Sequence, residues 1–380
     1  MSIEFFEGFE TCGTETGIAN QATTRPRVVL RWDGSASGGI PASDSFYLID
    51  DQFTEGYALK MTENSFGSGN YLQWNVPAAK QESPGASART WVVGVRFHVP
   101  ATPTTEDWEI CVIHGLFGGT NPTDVISLGC QDGTDIVVTR ANPGAFTIAT
   151  ATSVVTPGAW HYIEFMFKIA ESADGGSITV NLDGSEIIAA TAADTNNALT
   201  TAFSHLRFKT LASNTGTFFV AYDDIYIMDT SVSPHTSFLG PTRVRSIPPN
   251  SDVTANWDSD PTGGTNVERI DENGADASDN VSTDVDATRD RYGVTNPSDS
   301  AAIMAVKFEA EVINQTGGSP SVHLEVVSGT SVETTEHVVT STTAYDVFDM
   351  IVQDDPAGGA WTNADIDALQ VGYLFKNNVV

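Results

Sequence analysis

Cysteine, basic side chains and long apolar runs are all scarce in this chain of 380 residues. Only three cysteines are present, Cys12, Cys111 and Cys130. Their spacings fit no zinc motif. One disulfide can form from three thiols, and three ordinary apolar thiols is the other reading. Lys and Arg number 18 against 49 Asp and Glu, and no basic run occurs. Direct phosphate or nucleic-acid binding is therefore not expected. No stretch is apolar over the length of a membrane span, so membrane insertion is not expected either. The opening MSIEFFEGFE has neither a basic n-region nor an apolar h-region. Synthesis in a cytoplasm without signal-directed export follows as an expectation.

Catalytic motifs are equally sparse. The seven histidines, at 98, 114, 161, 205, 235, 323 and 337, form no H-x-x-x-H pair. Metal or general-base roles need clustered ligands, and none cluster in the sequence. No G-x-S-x-G frame holds a serine nucleophile, and no Gly-rich phosphate loop is present. Glycoside hydrolysis needs two carboxylates flanking the bond. Glu164 is the obvious acid, but no partner carboxylate lies near it in sequence.

What the chain does have is strand pattern. In Trp91–Val99, Trp91, Val93, Val95, Phe97 and Val99 share one face, with Val92, Gly94, Arg96 and His98 on the other. Trp160–Ile169 repeats this with Ile163, Phe165, Phe167 and Ile169. Ser177–Leu182 follows, and Asp183-Gly184 supplies a two-residue hairpin turn before Ile187 and Ile188 begin the return. Phe218–Met228 is another long strand. Shorter ones are expected at Tyr57–Met61, Tyr71–Val76, Ile110–Leu116, Val125–Gln131 and Asp135–Arg140. Frequent turns, with Gly 33 and Pro 17, and no long amphipathic helix point to an all-β sandwich.

Thr230–Asn250 interrupts the pattern with Pro234, Pro241, Pro248 and Pro249. A boundary near residue 240 follows, giving domains 1–236 and 237–380. Residues 1–240 carry a formal charge of −15 and residues 241–380 carry −16, so the second part is the more acidic per residue. Such charge keeps copies apart and soluble. Residues 251–300 are Asp-rich and poor in apolar anchors, and they read as loops and short edge strands. Asp258 with Asp260, Asp276 with Asp279, and Asp284 with Asp286 offer oxygen ligands that would suit calcium. None has EF-hand spacing, and a solvated acidic loop is the default. No other cofactor is expected. Strands resume at Ala302–Val312, Val322–Val326, Val338–Thr340, Tyr345–Val352 and Leu369–Phe375. Thr362 caps a helical turn answered by Asp365.

Three stretches carry a resemblance. They are Glu7-Gly8-Phe9-Glu10, the hairpin running from Pro157-Gly158-Ala159-Trp160 to Val180-Asn181-Leu182-Asp183-Gly184, and Tyr222-Asp223-Asp224-Ile225-Tyr226-Ile227. Together they resemble the concanavalin A-like jelly roll, laminin-G type lectins and glucanases included. The first stretch would be an opening strand that pairs with the last. The junction Ser237-Phe238-Leu239-Gly240-Pro241-Thr242-Arg243-Val244, then Ile247-Pro248-Pro249-Asn250, is similar to structural proteins of tailed bacteriophage virions. Trp257 and the Trp361–Gly372 stretch add to this. The resemblance implies a virion surface protein, on tail, fibre or capsid, with assembly and host-glycan adhesion as its work and no enzymatic activity. A purely structural decoration protein and a polysaccharide-degrading enzyme are the alternatives. Other virion proteins, a host surface glycan and further copies of the chain, as in trimers, would be its partners. Stacking on sugars would fall to Trp32, Tyr71, Trp74 and Trp108.

Overall fold

The computed structural model describes residues 2–9, 34–35, 46–50, 57–62, 71–81, 89–99, 108–117, 121–140, 146–170, 175–195, 203–209, 219–270, 280–295, 301–315, 318–343 and 345–376. These fall into two compact units, which divide between Val244 and Arg245.

The first unit contains β1 (Ile3–Glu7), β2 (Gly34–Ser35), β3 (Phe46–Asp50), β4 (Tyr57–Thr62), β5 (Tyr71–Asn75), β6 (Thr90–His98), β7 (Trp108–Phe117) and β8 (Asn121–Gln131). It continues through β9 (Asp135–Arg140), β10 (Phe146–Ala151), β11 (Trp160–Lys168), β12 (Gly176–Leu182), β13 (Ser185–Ala193), β14 (Phe203–Lys209) and β15 (Phe219–Asp229). One sheet has eight strands in the order β13-β12-β11-β6-β15-β4-β3, with β1 also pairing β15. The other has seven, in the order β10-β9-β8-β7-β14-β5-β2. All pairings are antiparallel, including Glu7 opposite Ile225, so the opening strand does lie against the closing one. The unit is a concanavalin A-like jelly-roll sandwich.

The alternation in the sequence explains the core. Trp91, Val93, Val95 and Phe97 of β6 are all buried, as are Ile163, Phe165 and Phe167 of β11 in register beside them. From the seven-stranded sheet come Leu72, Trp74, Leu206 and Phe208. Trp91 meets Phe203 edge-on at 5.1 Å between ring centroids, and Phe203 meets Phe167 at 5.4 Å. Edge-to-face contacts of this kind add to the burial of large apolar area. The Asp183-Gly184 turn has both residues at positive φ, 51° and 80°, as a tight hairpin requires. His161 Nδ1 lies 2.7 Å from Asp183 Oδ2 and ties that turn to the start of β11. Cys111 and Cys130 are buried, and burial pushes the Cys111 thiol well up.

The polar side of β6, β11 and β15 does not face water. Residues 237–244, which the sequence assigns to the second domain, belong to the first unit and form a strap bonded to this side. Gly240 N donates to Glu164 Oε1 at 2.9 Å, as does Tyr226 Oη at 2.6 Å. Val244 N donates to Asp224 Oδ1 at 2.8 Å, and Arg96 Nε donates to Asp224 Oδ2 at 2.7 Å. Tyr162 shares a hydrogen bond with the Thr242 hydroxyl at 2.5 Å. Glu164, Asp224, Tyr162 and Tyr226 are all buried. Gly94 is required here, because a Cβ would stand 2.0 Å from the Tyr226 ring. β15 is not straight: its register with β6 shifts between Asp223 and Tyr226, and Asp224 sits at φ 49°. The bulge is what turns Asp224 onto Arg96.

The second unit has β16 (Pro249–Thr254), β17 (Asp258–Asp260), β18 (Asn280–Ser282), β19 (Arg289–Val294), β20 (Val306–Val312), β21 (Ser321–Ser328), β22 (Ser331–Val338), β23 (Asp346–Val352), α1 (Asn363–Asp367) and β24 (Gln370–Lys376). A five-stranded sheet runs β16-β19-β24-β21-β22, and β17–β18 and β20–β23 form two smaller pairs. Leu324, Val326, Met350, Val352, Trp361, Ile366 and Leu369 build its core. The expected capping box of Thr362 and Asp365 opens α1. The expectation that residues 251–300 give only loops and edge strands is corrected, since β19 lies inside the sheet. Its charges are neutralised by partners: Glu325 holds Arg289 Nε at 2.7 Å and Arg291 Nε at 3.0 Å. Fully buried Asp290 accepts from Trp257 N, Asn266 Nδ2 and Tyr292 Oη.

Candidate functional site

The seven-stranded sheet also has a polar face, and no described segment is bonded across it as the strap is on the other sheet. Strand pairing builds it in rows. In one row, Asn75 of β5 lies opposite His205 of β14, His205 opposite His114 of β7, and His114 opposite Asp124 of β8. In the next, Gln73 lies opposite Arg207, Arg207 opposite Val112, Val112 opposite Ser127, and Ser127 opposite Thr139 of β9. Tyr71 and Lys209 begin a third.

Two bulges set the first row. The register of β14 against β7 shifts between Phe203 and His205, leaving Ser204 as the extra residue. That of β7 against β8 shifts between Ile113 and His114, leaving Val125 extra. Bulges re-aim side chains. Here Phe203 and Leu206 both enter the core while His205 turns to the polar face. The two imidazoles stack, with centroids 4.4 Å apart and planes 13° from parallel.

Protons can be placed on these rings. The Ser204 hydroxyl donates to the His114 carbonyl at 3.1 Å, and Ser204 Oγ lies 2.9 Å from His205 Nδ1. A hydroxyl has one proton, so once it is given to the carbonyl the oxygen must accept from Nδ1. With the hydroxyl proton on the carbonyl, His205 carries its own proton on Nδ1, and its Nε2 has a lone pair. That Nε2 is buried and has no hydrogen-bond partner among the described residues. His114 Nδ1 lies 2.9 Å from Asp124 Oδ1, and its Nε2 is likewise buried and unpartnered. Burial lowers the pKa of both rings. For His205 the neighbouring His114 and Arg207 add to the effect and bring it down to about 3. The close approach of His114 holds the Asp124 carboxyl below its usual value, against its own burial. His205 is thus uncharged at neutral pH.

Around it stand donors. Arg207 Nε donates to Gln73 Oε1 at 2.8 Å, and the guanidinium lies 4.3 Å above the half-buried Tyr71 ring. Its terminal NH2 groups make no hydrogen bond among the described residues. Gln73 Nε2 donates to Asn75 Oδ1 at 2.8 Å. Lys209 Nζ lies 2.8 Å from Glu109 Oε2 and 3.9 Å from Asp124 Oδ2. Both carboxylates therefore converge on one ammonium rather than flanking an open space.

Of the four aromatic candidates, Tyr71 lies on this face. Trp74 and Trp108 are corrected: they are 6% and 2% exposed, Trp74 packs on Trp91 and Phe203, and neither offers a ring face to a sugar. Trp32 lies outside the described residues. Asp276 and Asp279 do so too, while Asp258, Asp260, Asp284 and Asp286 are exposed. Among the described residues, no three His, Cys, Asp or Glu side chains converge as a metal site. Sequence reasoning missed His114 and His205 because they sit 91 residues apart in the chain. The one local signal was the alternation of His205, Arg207 and Lys209 on a single strand face.

No family model matches this sequence, and no curated protein does. Solved structures do match. An endo-β-1,4-glucuronan lyase from the fungus Trichoderma reesei is 15% identical over 60% of this chain and 96% of its own, with a TM-score of 0.42. The alginate lyase Aly36B, solved with alginate trisaccharide, is 10% identical over 60% and 98%, also at 0.42. A carbohydrate esterase from the Shiga toxin-encoding bacteriophage phi24B is 16% identical over 57% and 97%, at 0.35. The expectation of a non-enzymatic chain is corrected by these matches, which are enzymes acting on carbohydrates.

Proposed function

We propose that this chain binds an acidic polysaccharide across the polar face of the seven-stranded sheet and cleaves it by β-elimination. The observation that carries this reading is the buried Nε2 of His205 together with the terminal NH2 groups of Arg207, none of which has a hydrogen-bond partner among the described residues. A uronate residue has an acidic C–H next to its carboxylate, and an imidazole nitrogen that carries no proton can accept it. His205 Nε2 takes that proton. Arg207, with the amides of Gln73 and Asn75, holds the carboxylate and the negative charge that develops on it. The C–O bond to the neighbouring sugar breaks, a C=C bond forms, and Tyr71 supplies the proton that the departing oxygen needs. Elimination fits better than hydrolysis, because hydrolysis asks for two carboxylates across the glycosidic bond. Glu109 and Asp124 are instead both drawn to Lys209.

The test is incubation of the full chain with a panel of uronate polymers, following ultraviolet absorbance of the unsaturated product. Chain shortening with that absorbance supports elimination. New reducing ends without it would replace elimination by hydrolysis, and no shortening on any polymer would remove the reading. The junction's resemblance to phage structural proteins supports display on a virion exterior, with a host surface polysaccharide as substrate. Immunogold labelling of purified particles tests that placement.

A further inference from the structure

We infer that Ser204 and His114 are positioning residues for His205, Ser204 fixing its tautomer and His114 fixing its ring plane. The inference deepens the reading of His205 as the base and rests on it for its catalytic consequence. An imidazole buried without constraint can carry its proton on either nitrogen, and only one choice leaves Nε2 able to accept. Ser204 makes the choice because its own proton is committed to the His114 carbonyl. It reaches both groups only as the extra residue of the β14 bulge. Regular pairing would alternate residue 204 to the core side with 203 and 205 together on the other. The stacked His114 ring, backed by Asp124, then blocks rotation of the His205 plane. The charged groups around the pair are Asp124 from β8, Glu109 from β7, and Arg207 and Lys209 from β14 itself.

Nitrogen-15 NMR of the imidazoles in the full-length chain reads the tautomer without any substrate. The expected result at neutral pH is His205 protonated on Nδ1 and bare on Nε2. Ser204→Ala should move the proton to Nε2 or mix the two forms. It should cut kcat about tenfold or more, in proportion to one lost buried hydrogen bond, with KM little changed. Ser204→Thr keeps the hydroxyl and should restore both readouts. A wild-type His205 protonated on Nε2, or an unchanged tautomer in a folded Ser204→Ala chain, would overturn the inference. The wild-type spectrum decides even where Ser204→Ala fails to fold. A fixed tautomer in a protein that cleaves no polysaccharide would leave the positioning intact and remove the catalytic reading instead.

Discussion

Both sheets of the sandwich carry buried polar side chains on the face away from the core, and the two sets differ in what they touch. On the eight-stranded sheet, Glu164, Asp224, Tyr162 and Tyr226 are bonded to Arg96 and to the strap at 237–244. On the seven-stranded sheet, His114 and His205 keep ring nitrogens that have no hydrogen-bond partner among the described residues. Burying polar groups is tolerable when they are paired and costly when they are not. The first set serves structure through those bonds, although Glu164, the carboxylate most easily mistaken for a catalytic acid, bonds only through Oε1 and leaves Oε2 without a partner among the described residues. The second leaves ring nitrogens of two stacked imidazoles unsatisfied, with no described segment bonded across them.

Variants on the two faces should separate sharply. His205→Gln keeps the volume and removes the base, and it should lower kcat by about 10²–10⁴ without loss of thermal stability. Asp224→Ala should do the reverse. It leaves Arg96 buried without its carboxylate and should cost about 3–5 kcal/mol in denaturant unfolding, with KM unchanged in whatever protein stays folded. Arg207→Ala should raise KM by about 10–100-fold, in line with a charge-assisted hydrogen bond, and melt near the wild type. A smaller effect is expected from Glu164→Gln, since an amide oxygen still accepts from Tyr226 and Gly240; about 1 kcal/mol or less should be lost.

Acidity sharpens the same contrast. His205 has a folded pKa of about 3 against its ordinary value of 6.5. Between those values the unfolded state binds more protons, so stability falls as pH drops from about 6.5 towards 3. His114 shifts the same way. In His205→Gln the fall should be shallower in pH-dependent melts. His161 has the opposite sign. Burial lowers its pKa, but Asp183 outweighs this and raises it, so its contribution is full below pH 6.5 and is lost as pH rises through the folded value.

The jelly roll was legible because its strands alternate with little noise, as in Trp91–Val99. The hairpin turn was legible because Asp183-Gly184 is chemically suited to positive φ. β19 was not, because Arg289, Asp290 and Arg291 look like solvent-facing residues until Glu325 and Asn266 come beside them. Trp74 and Trp108 misled for a simpler reason. A tryptophan on a strand reads alike whether its ring faces core or water.

The sequence by itself determined an all-β chain, its excess of acid, the interruption near residue 240 and most strand positions. Each of these is a local pattern or a sum over composition. The tertiary structure alone decided that 237–244 seals one sheet face and that His114 and His205 stack on the other. Both depend on register between distant strands, and a single bulge residue, Ser204, changes which way the side chains beside it point.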